Sequence, residues 1–138
     1  MKRLLFVMMF LSILAGKVNS IDKSELANIL KIVINLPELQ EYYHIDILPE
    51  RKPLIIVADE FIQYDLKIKK FGEPIIFMDK AEIKRKSIKA YLEIMNFEMV
   101  NNIAKITLNY SIEGLIIDVI LIKENGFWKV KESKLIEK

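Results

Sequence analysis

Cysteine is missing from all 138 residues. Its absence excludes disulfide staples, a thiol nucleophile and thiolate ligands for zinc. Histidine occurs once, as His44, and one imidazole cannot build a common zinc site without other strong ligands. The four glycines, Gly16, Gly72, Gly114 and Gly126, are isolated from one another, which excludes a P-loop and a dinucleotide fingerprint. No serine lies in a G-x-S-x-G elbow. Asp59 and Glu60 are adjacent carboxylates, but sequence neighbours point apart, and a solvated turn accounts for them. The sequence therefore assigns no catalytic residue, no metal site and no cofactor.

Charge of one sign is missing too. The chain carries 21 basic and 19 acidic side chains. Lys2, Arg3 and Lys17 fall in the first twenty residues, which hold no acid, so the remainder has 18 basic against 19 acidic groups. No surplus is left to attract nucleic acid or an anionic membrane surface. Those first twenty residues, MKRLLFVMMFLSILAGKVNS, have the pattern of a secretory signal peptide. Lys2 and Arg3 precede the apolar stretch Leu4–Leu14, and Val18-Asn19-Ser20 supplies a cleavage site. This eleven-residue stretch falls short of the ~20 that span a bilayer; an uncleaved anchor is the alternative. The expectation is a signal peptide over 1–20 and a single exported domain over 21–138, periplasmic or extracellular, with no stable membrane span after signal removal. With no disulfides, that domain must be held by its core.

In the domain, Asp22 and Glu25 have capping-box spacing, and Leu26, Ile29, Leu30 and Val33 recur at helical intervals. A helix is expected to about Asn35, ended by Pro37, which also suits the start of a short helix PELQEYY. Residues 44–58 read as extended, with Leu54–Val57 as a buried strand. Leu66 and Ile68 alternate with Lys67 and Lys69 as in a lysine-protected edge strand, and Ile75–Met78 reads as another strand. Asp79 and Glu82 form a second capping box before a short helix.

The stretch that organises the chain is 86–134. Asn101-Asn102, Glu113-Gly114 and Asn125-Gly126 read as two-residue hairpin turns, since Asn and Gly adopt positive φ at low cost. The implied four-stranded meander pairs Phe97 with Ile106, Leu108 with Val119, and Leu121 with Val130. One face then collects Met95, Phe97, Ala104, Ile106, Leu108, Tyr110, Ile117, Val119, Leu121, Trp128 and Val130. The alternation changes phase near Ile94–Met95, which predicts a β-bulge and with it a curved sheet. The fold class is α+β: an N-terminal helix packed on a curved, mostly antiparallel sheet that ends in the meander.

Two groups of residues are candidates for function. Ile116, Ile120 and Ile122 fall on the meander's other face, among Glu98, Lys105, Asp118 and Lys129. They form either an exposed interaction strip or a surface covered by another segment such as 44–58. His44 and Asp46 form a weak acid/base candidate in which the carboxylate orients the ring; a loop histidine is the plainer reading.

The order helix, irregular middle, terminal sheet, with Gly126-Phe127-Trp128-Lys129-Val130 closing the last hairpin, resembles the cystatin-like α+β group, including nuclear transport factor two-like and SnoaL-like domains. The resemblance implies a helix-covered curved sheet forming a pocket, in isomerases, dehydratases or plain binding modules. The catalytic Asp/His and Tyr/Asp sets of that group do not map onto this chain, and the Q-x-V-x-G loop of inhibitory cystatins is missing. The expected function is a non-enzymatic binding or interaction module for a partner protein or a small apolar ligand. A pocket enzyme of isomerase or hydrolase type and a structural envelope component are the alternatives.

Overall fold

The computed structural model describes residues 22–62 and 66–138. The expected signal peptide at 1–20 lies outside the described residues. Helix α1 (Lys23–Ile34) leads through a 3-10 turn (Pro37–Leu39) into α2 (Gln40–Tyr43). Three short strands follow, β1 (Ile55–Val57), β2 (Lys69–Lys70) and β3 (Glu73–Pro74), then β4 (Ile76–Met78) and α3 (Lys80–Arg85). The meander is β5 (Leu92–Val100), β6 (Ile103–Tyr110), β7 (Leu115–Glu124) and β8 (Phe127–Glu137). The main sheet has the order β4-β1-β5-β6-β7-β8, and β2 and β3 pair as a separate ribbon. β1 runs parallel to β4 and β5, while β5 through β8 pair antiparallel. The architecture is α+β with an open, mostly antiparallel six-stranded sheet.

Leu26, Ile29, Leu30, Val33 and Ile34 of α1 share one buried cluster with Ile106, Leu108, Ile117, Val119 and Leu121 of the sheet. Asp22 caps α1 by accepting from the Ser24 N–H at 3.0 Å. Glu25 does not close the expected capping box; its carboxylate turns away to Lys123 and Trp128. A charged tertiary pair and an indole donor outcompete one backbone N–H at an exposed helix end. The second box keeps its N-cap, with Asp79 accepting from the Glu82 N–H at 2.8 Å. A second, smaller cluster of Val57, Met78 and Ile83 forms where α3 covers the opposite face of β1 and β4.

In the meander the first and third hairpins keep the expected register, with Phe97 opposite Ile106 and Leu121 opposite Val130. The bulge expected near Ile94–Met95 is present as a register shift between Ile94 and Asn96. Met95 sits in that shift and is 52% exposed rather than on the apolar face; Ile94 takes its place opposite Leu108. The second turn is longer than two residues. Ser111–Glu113 form a 3-10 turn and Gly114 takes φ 61°, so Leu108 faces Ile117 rather than Val119. A slip of two residues preserves alternation, and Leu108 and Val119 still bury on one side. Val130 is 37% exposed at the sheet's edge strand.

The middle of the chain departs further. Residues 44–54 are not extended: they turn at Ile45–Ile47 and again in a 3-10 turn, Pro49–Arg51, leaving Ile55–Val57 as the strand. The expected edge strand at Leu66–Lys69 shrinks to Lys69–Lys70, whose partner is Glu73–Pro74 across a Phe71-Gly72 turn with both φ positive.

Candidate functional site

Ile116, Ile120 and Ile122 lie half-buried on the outer face of β7 and belong to neither buried cluster. The register sets their neighbours. Ile116 is flanked by Asn109 and Ile136, Ile120 by Lys105 and Glu132, and Ile122 by Ile103 and Lys129. On this side of the sheet α3 packs over β1 and β4. Ile120 also lines a groove of about 290 Å³ together with Asn96, Lys105, Thr107, Asp118 and Glu132. Within its lining, Thr107 Oγ1 donates to Asp118 Oδ1 at 2.7 Å. Register shifts border the groove on two sides, at Met95 on β5 and at Lys131 on β8, opposite Ile120–Leu121. Bulges re-aim side chains and sharpen local twist. Sequence alternation placed Ile120 on this face; the second shift beside it is announced by no residue pattern.

His44 and Asp46 come together on a different surface. Both line a cleft of about 430 Å³ with Gln40, Glu41, Ile47 and Phe71. Asp46 does not orient the imidazole. His44 Nε2 instead meets Glu113 Oε1 at 2.5 Å, and Arg51 approaches the other Glu113 oxygen at 3.6 Å. Arg51 also donates to the Tyr42 and Tyr43 carbonyls at 3.5 and 3.4 Å, satisfying acceptors left open where α2 ends. His44 has φ 54° and Phe71 has φ 57°. Two bulky residues in the left-handed region border one cleft, and such strain, of order 1 kcal/mol each, concentrates at ligand sites.

Beneath this cleft the groups are tightly held. Tyr43 donates its hydroxyl to the Ile34 carbonyl at 2.9 Å and packs edge-on against Phe71 and Tyr110. Burial pushes the Tyr43 hydroxyl far above its ordinary value. Burial also raises Tyr110, opposed by the neighbouring Arg51 guanidinium. Lys70 bonds the Asn35 and Gln40 side-chain oxygens at 2.7 and 2.5 Å and lies 5.2 Å from the Tyr43 and Phe71 ring centres. Its desolvation lowers the ammonium below the usual lysine range. Glu113, Arg51 and Phe71 were not singled out from sequence. Glu113 reaches His44 only through the tertiary fold, and Phe71 reads as a turn residue before Gly72.

Among the described residues no group of three or more His, Cys, Asp or Glu could hold a metal ion, and no helix is long and apolar enough to cross a membrane. Comparison with family models, curated proteins and solved structures finds no match.

Proposed function

We propose that this chain is an exported interaction domain that docks a partner protein on the outer face of its meander. In this reading α1 lies on the inner side of a sheet curved by its two bulges, the layout of the cystatin-like group, and the outer side is left for recognition. The observation that carries the reading is the groove at Ile120, bracketed by both register shifts. Ile116 and Ile122 extend it along β7, and Glu98, Lys105, Asp118, Glu132 and Lys134 surround it with charges of both signs. A matching partner presents an apolar ridge bordered by alternating charges. A polyanion is disfavoured by the acidic members of the ring. The pattern of residues 1–20 supports export.

The test places a photo-crosslinking amino acid at Ile116 in cells that make the full chain. One cross-linked protein is expected, identified by mass spectrometry and then purified. Ile120→Lys should weaken its binding at least tenfold, because a charge placed at the centre of an apolar contact is left unpaired. Unchanged affinity for a folded Ile120→Lys protein would remove the outer face from the reading.

The cleft favours a second reading, a pocket enzyme of hydrolase type with the His44–Glu113 pair as general base and its orienting carboxylate. The observation in its favour is that His44, paired with Glu113, lines one cleft with Asp46, and that two residues with positive φ border that cleft. Turnover of activated esters that is lost in His44→Gln would support it; equal turnover in both proteins would end it.

A further inference from the structure

Three large apolar side chains gather at one end of the meander. The β5–β6 and β7–β8 hairpins turn at the same end, where the Lys123 N–H donates to the Asn102 carbonyl at 2.8 Å. Beside these turns Val100 is 69% exposed, Ile103 46% and Phe127 72%. Val100 and Ile103 are cross-strand partners, and Ile103 faces Ile122 on the next strand, so the apolar surface is continuous from β5 to β7. None of the three exposed side chains adds to the core, and an apolar tip of this kind marks a surface that meets something other than water.

The same end is where the chain comes in. Glu25, in the first turn of α1, touches Lys123 and Trp128 beside the β7–β8 turn. The sequence preceding α1 carries the apolar stretch Leu4–Leu14. Residues 15–21 separate that stretch from the helix cap and can span at most about 25 Å. A domain held through residues 4–14 therefore turns this end, and not the cleft at the other end of β7, toward the bilayer. The charges here are mutually paired, Lys123 with Glu25 and Lys129 with Glu124, which leaves apolar contact as the means of attachment.

We propose, on the alternative in which residues 1–20 are kept as an uncleaved anchor, that Val100, Ile103 and Phe127, with the two turns between them, form a lipid-contact surface that rests at the headgroup–acyl boundary while residues 4–14 are held in the membrane. The surface suits a zwitterionic bilayer, because its paired charges offer no excess to attract anionic lipid. It adjoins the partner face at Ile122, and replacing Val100 and Phe127 leaves Ile116 and Ile120 of that face untouched.

The absence of cysteine makes the test direct, since any introduced thiol is the single labelling site. The full 138-residue chain is labelled with an environment-sensitive fluorophore at Asn102→Cys or, at the opposite end, at Glu50→Cys. Each protein is reconstituted into phosphatidylcholine vesicles containing a lipid with a shallow nitroxide quencher. Quenching at position 102 is expected to exceed that at position 50 by about fivefold. The pair Val100→Ser and Phe127→Ser should bring it down to the position-50 level with residues 4–14 untouched, while buried Trp128 keeps its emission maximum as a check on folding. Equal quenching at the two positions, or quenching at 102 that survives the serine pair, would overturn the proposal. A concentration-dependent change at 102 without vesicles would also overturn it, assigning the tips to a second copy of the chain.

Discussion

Replacing Glu25 with glutamine cuts the clamp between α1 and the β7–β8 hairpin. The carboxylate accepts from Lys123 Nζ at 2.5 Å and from Trp128 Nε1, and the same ammonium lies 5.8 Å from the indole ring centre. Charge-assisted bonds of this kind contribute ~1.5–3 kcal/mol each when dry. Here the Glu25 and Lys123 side chains keep 23% and 29% of their exposure, and exposed ion pairs are worth only ~0.2–1 kcal/mol. Glutamine also retains one acceptor oxygen. The expected loss is ~1–1.5 kcal/mol, or a fall of about 5 °C in Tm for a domain of this size. Hydrogen bonds from Lys123 first and Trp128 second hold the Glu25 carboxyl below its ordinary value of 4.5. Its contribution is thus complete above about pH 4.5 and is lost as pH falls through the depressed folded-state value. Melts of the two proteins between pH 7 and strongly acidic conditions, followed by circular dichroism and by the fluorescence of Trp128, should show a constant gap that closes in acid. Identical melting at neutral pH, or a gap that persists after the carboxyl is protonated, would refute the clamp.

Other perturbations separate the core, the turns and the surface. Leu108→Ala empties a fully buried position and should cost ~2–5 kcal/mol by denaturant unfolding, whereas Ile120→Lys on the opposite face should stay within ~1 kcal/mol of the parent. Tyr43→Phe removes the bond to the Ile34 carbonyl and should cost ~1–2 kcal/mol. In a spectrophotometric alkaline titration Tyr43 should stay protonated in the folded protein well past the ordinary value of 10.0. Its stabilisation is complete below that value and is lost as pH rises above it, so unfolding and Tyr43 ionisation should coincide. Gly126→Ala meets no atom within 4 Å, but φ is +81°; a loss of ~1 kcal/mol in thermal melts is expected from backbone strain alone.

The meander was legible in sequence because its information is local. Asn125-Gly126 set the last register, and alternation alone identified Leu108, Ile117, Val119 and Leu121 as one buried face. The Ile94–Asn96 shift was legible too, since a bulge reverses the parity of the residues around it. The second turn misled because Glu113-Gly114 reads as a two-residue loop, while the left-handed Gly114 ends a 3-10 turn begun at Ser111. The middle of the chain was poorly legible: Pro49 and Pro53 limit helix, but nothing local tells a wound segment from an extended one. Glu25 and Glu113 show the limit most clearly. One satisfies a capping rule and the other sits in a turn, yet both are engaged by groups far along the chain, Lys123 with Trp128 and His44 with Arg51. Propensity rules price only the local option.

The two ends of β7 differ in chemistry, and that difference gives the domain a direction. At the Glu124 end stand the exposed tips and the first turn of α1; beyond the Leu115 end stand Glu113, His44 and Arg51. Ten residues of strand separate them by roughly 30 Å, about the thickness of a hydrocarbon core. A surface engaged at the tips thus leaves both the His44 cleft and the Ile120 groove open to solvent, the first at the far end and the second on the flank. The strand that joins them, β7, is hydrogen-bonded along both edges and buries Leu115, Ile117, Val119 and Leu121. Such an element holds position rather than flexing between states. Occupation of the tips should therefore leave affinity at the groove unchanged, and a measured coupling between them would require a second arrangement of β7.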